Sequence, residues 1–244
     1  MNSSPFKFLR IGIAILLLGT SFNLIFGQEL ITDRPDFTES GVTVPFQSVQ
    51  AEFGATYETF ASTDIIGGPE LLIRYSPFHR IEFRFELPDY TVINTDGEFQ
   101  GGAAGFKWQL GPAARWDLAL IGMLGMPVTE TENEFSQNFI FAAGRDLNDR
   151  WSFGSQIAAT WEPSREKPLL EGTMVAGTGI SNNVGAFFEI MLSDWTANTP
   201  PLLLHHGYTI IVHPTLQLDV HAGAGLNKTA PDFFLGCGAS IRFD

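Results

Sequence analysis

The residues able to do chemistry fall into three groups by type and spacing. The first is a charged run near the N-terminus: Asp33, Arg34, Pro35, Asp36, Thr38 and Glu39. The second is a row of alternating sign, Arg80, Glu82, Arg84 and Glu86, interleaved with Ile81, Phe83, Phe85 and Leu87. Glu52, Arg74 and Lys107 occupy similar positions in neighbouring alternating stretches. Such a row can line a polar passage and select what enters it. It can equally form a self-compensating ladder of ion pairs that fills a narrow space. The third group is His205, His206, His213 and His221. Adjacent side chains of a strand point to opposite faces, so His205 and His206 cannot bind one ion together. His221 shares a face with Gln217 and Asp219. No metal site follows from these spacings, and none calls for a cofactor. A nucleophile would need a base within reach. Ser155 has no histidine at a spacing that pairs with it, and the His-x-Ser-Asn-Gly run of outer-membrane phospholipases is absent. No catalytic residue is assigned, and the chain is not expected to be an enzyme.

These side chains must be positioned by strands, because their surroundings alternate with period two. In residues 80–87 every charge falls on one face and every apolar side chain on the other. A helix would scatter the same charges around its circumference. Residues 48–59 repeat the pattern, with Val49, Ala51, Phe53, Ala55 and Tyr57 opposite Gln50, Glu52, Thr56 and Glu58. Further strands are expected at 70–76, 101–110, 118–128, 135–143, 151–161, 171–180, 184–192, 203–212, 216–226 and 232–243. The reading is all-β: a transmembrane antiparallel up-and-down β-barrel of about 12 strands, an even number as single-chain bacterial barrels use.

The connections support this. Short turns are expected at 77–79, 148–149, 181–183 and 213–214, and a slightly longer one at 111–115. Longer polar loops are expected at 61–68, 89–100, 129–134, 162–170, 193–201 and 227–231. Short and long alternate, like the periplasmic turns and extracellular loops of outer-membrane barrels. Both termini then fall on the periplasmic side. Trp151 and Trp161 share a face ten positions apart, as do Phe233 and Phe243. Ten tilted strand residues rise roughly 25 Å, the height of the apolar band between two aromatic girdles. A soluble barrel burying its apolar face is the competing fold. It would not set Trp and Phe in two belts on that face.

Composition narrows the field. The 244 residues are 44% hydrophobic and only 17% charged, and suit one sizeable domain. The formal net charge of −13 offers no basic stripe for phosphates, which excludes nucleic acid as a partner. The lone Cys237 allows no internal disulfide. Residues 1–27 read as a signal peptide, with Lys7 and Arg10 ahead of an apolar run. Beyond it the longest apolar stretch, 118–126, is far short of the ~20 residues a membrane helix needs. A barrel is the remaining way to satisfy every backbone group inside a bilayer. Residues 28–46 are then a periplasmic N-terminal segment, and 47–244 the outer-membrane barrel. The segment is expected to fold into the periplasmic mouth and pair with charges inside, since lumen charges persist when paired or wet. Its alternative is a strap with no part in transport.

The run Leu30-Ile31-Thr32-Asp33-Arg34-Pro35-Asp36-Phe37-Thr38-Glu39-Ser40, followed by Val44-Pro45 and by Val49-Gln50-Ala51-Glu52-Phe53-Gly54, resembles the opening of a bacterial outer-membrane family. This is the transporter-like family of the MetA pathway of phenol degradation. Residues 71–75, 143–151 and 233–243 fit the same pattern, so the resemblance covers most of the chain. It implies an outer-membrane barrel with a transport role for small, aromatic or hydrocarbon-like solutes. Outer-membrane lipid, the barrel-assembly machinery and a small-molecule solute are the partners implied. Barrels commonly finish on an aromatic read by that machinery; here Phe243 is penultimate and Asp244 is last. The alternative is a structural or surface-interaction role without transport.

Overall fold

The computed structural model describes residues 30–113, 115–126 and 135–244. The expected signal peptide, the first two residues of the N-terminal segment and the loop at 129–134 lie outside the described residues. Among the described residues there are fourteen strands and no helix. They are β1 (Val49–Phe60), β2 (Thr63–Phe78), β3 (Ile81–Leu87), β4 (Tyr90–Ile93), β5 (Asp96–Phe99), β6 (Ala103–Ala113) and β7 (Trp116–Gly125). Then follow β8 (Ser136–Asp146), β9 (Trp151–Trp161), β10 (Leu169–Gly179), β11 (Val184–Leu192), β12 (Leu202–His213), β13 (Leu216–Gly225) and β14 (Phe233–Phe243).

Twelve of them form a closed antiparallel barrel. Each barrel strand pairs with its neighbour in the chain, β3 pairing directly with β6, and β1 pairs with both β2 and β14 to close the ring. The short β4–β5 hairpin lies outside this ring of twelve and pairs with the first part of β2 through Ile65–Gly67. Closure leaves no unpaired sheet edge among the twelve.

Two expected loops are instead strand. The stretch 61–68 is mostly the start of β2, and the β1–β2 connection shrinks to Ala61 and Ser62, both at positive φ. Two-residue hairpin loops favour that conformation. The alternation there is hidden by a register shift between Gly54 and Thr56, opposite Gly68 at φ 133°. An inserted residue moves the apolar set to the other face, so a periodic reading loses the strand. The expected loop at 89–100 holds the β4–β5 hairpin, whose four-residue strands are too short for periodicity to register; Asn94 makes its turn at φ 55°. Likewise the 111–115 turn is shorter than expected, because β6 runs to Ala113 and β7 begins at Trp116.

The barrel is polar inside and apolar outside. The fully buried large side chains include Arg74, Arg84, Lys107, His205, Gln50, Glu52, Glu82 and Glu189. Phe53, Phe83, Phe85, Phe106, Leu120, Phe139, Phe141, Ile157 and Val220 are exposed on the outer face. A water-soluble domain would reverse this, because charged side chains are almost never fully buried unless paired. The competing soluble barrel is therefore excluded by the facing of the strands. Trp151 and Trp161 open and close β9, Phe233 and Phe243 open and close β14, and all four are exposed.

Candidate functional site

The barrel encloses the chain that precedes it. Residues 30–47 have no regular secondary structure and run through the interior. Side-chain hydrogen bonds hold their shape. Thr32 Oγ1 donates to Arg34 O at 2.7 Å, and the Ser40 amide donates to Asp33 Oδ1 at 2.9 Å. This folds the 32–40 stretch back on itself, as Thr and Asp side chains do when they bond nearby backbone.

Asp33 is the hub of a buried ionic network. Its Oδ2 lies 2.6 Å from Arg84 Nη1, 2.7 Å from Lys107 Nζ and 3.1 Å from Arg74 Nη2. Arg74 grips Glu82 with two nitrogens, at 2.9 and 3.0 Å, and reaches Glu52 Oε1 at 2.6 Å. Arg84 Nη2 reaches Glu39 Oε1 at 2.8 Å, and Lys107 lies 3.2 Å from Glu39 Oε2. The backbone joins in: the Asp33 amide donates to Glu52 Oε2 at 3.0 Å and the Val44 amide to Glu82 Oε2 at 2.8 Å. The wall contributes Arg74, Arg84 and Lys107 against Glu52 and Glu82, so it is net positive. The segment brings the balancing carboxylates. Burial alone would raise the Asp33 pKa, but Arg74, Lys107 and Arg84 outweigh it and hold the carboxyl well below its usual range. For Glu39 burial, helped by the neighbouring Asp33 carboxylate, wins over Arg84 and Lys107 and lifts the pKa to about 7.

A second set of contacts ties the segment to the opposite wall. The Phe37 amide donates to Glu189 Oε2 at 2.9 Å, and Thr38 Oγ1 donates to Glu189 Oε1 at 2.6 Å while meeting Thr173 Oγ1 at 2.5 Å. Gln156 bonds both the Glu39 amide and the Phe37 carbonyl, at 2.7 and 2.8 Å. Glu189 also pairs with His205 Nδ1 at 2.7 Å, and His205 Nε2 meets His221 Nδ1 at 2.9 Å. The Phe37 ring packs 4.6 Å from the His205 ring and 5.7 Å from that of Phe234. Arg34 reaches a third sector, with Nη1 2.9 Å from Glu70 and Nη2 3.5 Å from Asp219. Side-chain contacts of residues 30–47 thus span the lumen, meeting β1, β2, β3, β6, β9, β10, β11, β12, β13 and β14.

The sequence-predicted residues divide accordingly. Asp33, Arg34, Thr38 and Glu39 meet Glu52, Arg74, Glu82, Arg84, Lys107 and further partners, while Pro35 is buried beside them. Arg80 does not join them. It lies in the β2–β3 turn at φ 66°, which breaks the alternation, and its side chain is exposed. Glu86 keeps the predicted face but lies near the end of β3 and is exposed, outside the network. The row is not a ladder, since only Glu82 and Arg84 pair within it, at 3.2 Å. His205 and Asp219, noted among the histidines and their face, also meet the segment, while Glu189, Thr173, Gln156 and Glu70 were not singled out. The available signal was a single acid or amide among small residues on the inward face of an alternating strand. Among the described residues no group of three or more His, Cys, Asp or Glu is arranged to hold a metal.

A cavity of about 510 Å³ remains toward the end of the barrel that bears the short turns. Leu30, Thr32, Pro35 and Asp36 form one side of it, and turn residues such as Asp149 and Asn182 the other.

No family profile matches the chain, and no curated protein matches it in sequence. Solved structures do match. The KdgM porin superposes with a TM-score of 0.60 at 7% identity, covering 80% of this chain and 99% of that one. The NanC porin gives 0.59 at 8%, covering 78% and 98%. An outer membrane channel from Pseudomonas putida F1 gives 0.59 at 13%, covering 83% and 97%. The fold is that of the porin-like outer-membrane barrels.

Proposed function

We propose that the chain is an outer-membrane channel for small solutes, obstructed at its periplasmic side by its own residues 30–46. The carrying observation is the position of residues 30–47, which cross the lumen and place Asp33 among Arg74, Arg84 and Lys107. The apolar outer face suits lipid, and the exposed Trp151, Trp161, Phe233 and Phe243 suit two interfacial girdles. The resemblance of the Asp33 to Ser40 run supports aromatic or hydrocarbon-like solutes as the class to test first. The remaining cavity beside Asp36 is the space a solute entering from the periplasmic side would meet.

Planar-bilayer conductance of the parent and of a variant lacking residues 28–42 tests the proposal. Conductance is expected to rise in the variant. Unchanged conductance in a folded variant, judged by heat-modifiable migration on a denaturing gel, reduces the segment to a strap. Liposome swelling with aromatic, aliphatic and sugar solutes then tests the permeant, and no swelling with any of them sinks the channel reading.

A further inference from the structure

Four residues lie side by side on adjacent strands: Glu70 on β2, Gly54 on β1, Gly238 on β14 and Asp219 on β13. Each is the register partner of the next. The rung crosses the seam where the barrel closes, and it reads acid, glycine, glycine, acid. The glycines leave a gap whose floor is backbone, and the guanidinium of Arg34 lies in it. A Cβ on Gly54 would fall on Arg34 Nη2 and Cζ, and a Cβ on Gly238 would meet Nε and Nη2. Nη1 donates to Glu70 Oε2 at 2.9 Å, and Nη2 to the Cys237 carbonyl at 3.4 Å. Asp219 stands 3.5 Å away, and both its carboxylate oxygens are buried without a hydrogen bond. Arg34 Nε is likewise buried and unbonded. The slot is shaped for a planar cation, yet its tethered occupant meets Asp219 only at ion-pair distance, without a hydrogen bond.

We propose that this rung is a binding site for guanidinium compounds, which Arg34 fills as a latch and for which a free guanidinium can substitute. A flat fork of donors can lie on the glycines and bridge both carboxylates in one plane, whereas a compact ammonium ion cannot span them. Glu70 is 40% exposed, which gives the slot an edge open to solvent. The effect on conductance rests on the obstruction proposed above; occupancy of the slot does not.

The test uses full-length refolded protein and ethylguanidinium at non-denaturing, low-millimolar concentration, with methylammonium as control. By titration calorimetry, Arg34→Ala is expected to bind ethylguanidinium saturably and the parent not. The preference over methylammonium should be about tenfold, equivalent to about 1.4 kcal/mol. Adding Gly238→Ala, which keeps both acids but fills the slot, should abolish binding while heat-modifiable migration persists. Arg34→Ala should conduct more than the parent, and ethylguanidinium should lower that conductance again. Absent binding, or equal binding of methylammonium, overturns the site even where the 28–42 deletion opens the pore. Binding that leaves conductance unmoved supports the site and overturns the obstruction.

Discussion

Asp33 Oδ2 lies 2.7 Å from Lys107 Nζ although 74 positions separate the two residues, and it shares the same oxygen with Arg74 and Arg84. One carboxylate ahead of the barrel thus holds cations from β2, β3 and β6. Removing it leaves those cations buried with fewer partners.

Asp33→Asn should therefore loosen the segment and raise conductance. Breaking a buried pair typically costs about 3–5 kcal/mol. Here the barrel itself can stay closed, so most of the loss should appear as undocking. Protease sensitivity of the 30–47 stretch, followed on the refolded variant, should increase; unchanged protection would count against Asp33 as the anchor.

Much of the barrel was legible in the sequence because its two faces differ so sharply. Residues 80–87 and 151–161 declare their strands through alternation alone. What alternation cannot convey is how far one strand is displaced against the next. That is why His205 and His221, sixteen positions apart, were not read as neighbours, and why Glu70, Gly54, Gly238 and Asp219 gave no sign of forming one rung. Alternation also fails where backbone geometry interrupts it, as at Arg80 and on β2 between Gly67 and Glu70. The segment's acids were recognisable as needing partners; which cations they would find depended on register.

Conductance should depend on pH in a direction set by Glu39 and reinforced by Asp36, whose carboxyl burial also pushes well above its usual range. The Glu39 pKa is about 7 in the docked segment, against an ordinary 4.5. The docked form therefore holds a proton that the released form gives up. This contribution to docking is full below about 4.5 and is lost as pH rises through 7. Asp33 works oppositely: its lowered pKa favours docking above the ordinary 3.8, and that is lost as pH falls. Docking should be strongest between these limits, so conductance at pH 8 should exceed that at pH 5.5. Glu39→Gln should shrink the difference; an undiminished pH response in that variant would assign it elsewhere.

Thr38→Val keeps the shape of the side chain but removes a donor to Glu189 and the contact with Thr173. Leaving a buried acceptor short of a partner costs about 1–3 kcal/mol. A conductance rise smaller than that of Asp33→Asn is expected, with unchanged barrel melting. A fall in barrel melting instead would mean that Glu189 braces β11 rather than the segment.

On the outer face, Phe141→Arg near the middle of β8 should destabilise folding into lipid vesicles by about 2–4 kcal/mol, while Trp161→Arg at the end of β9 should cost about 0–1 kcal/mol. Both side chains are exposed at the barrel surface. Equal effects at the two depths would argue against a bilayer around this belt.

The closure of the ring by β1 and β14 also encircles residues 30–47. Arg74, Arg84 and Lys107 all arrive on early strands, whereas Glu189, His205 and Asp219 arrive late. The wall that holds the segment is thus drawn from both ends of the chain, and the seam passes beside Arg34. Because the ring of twelve has no open edge, a released segment can leave only along the barrel axis, never sideways through the wall.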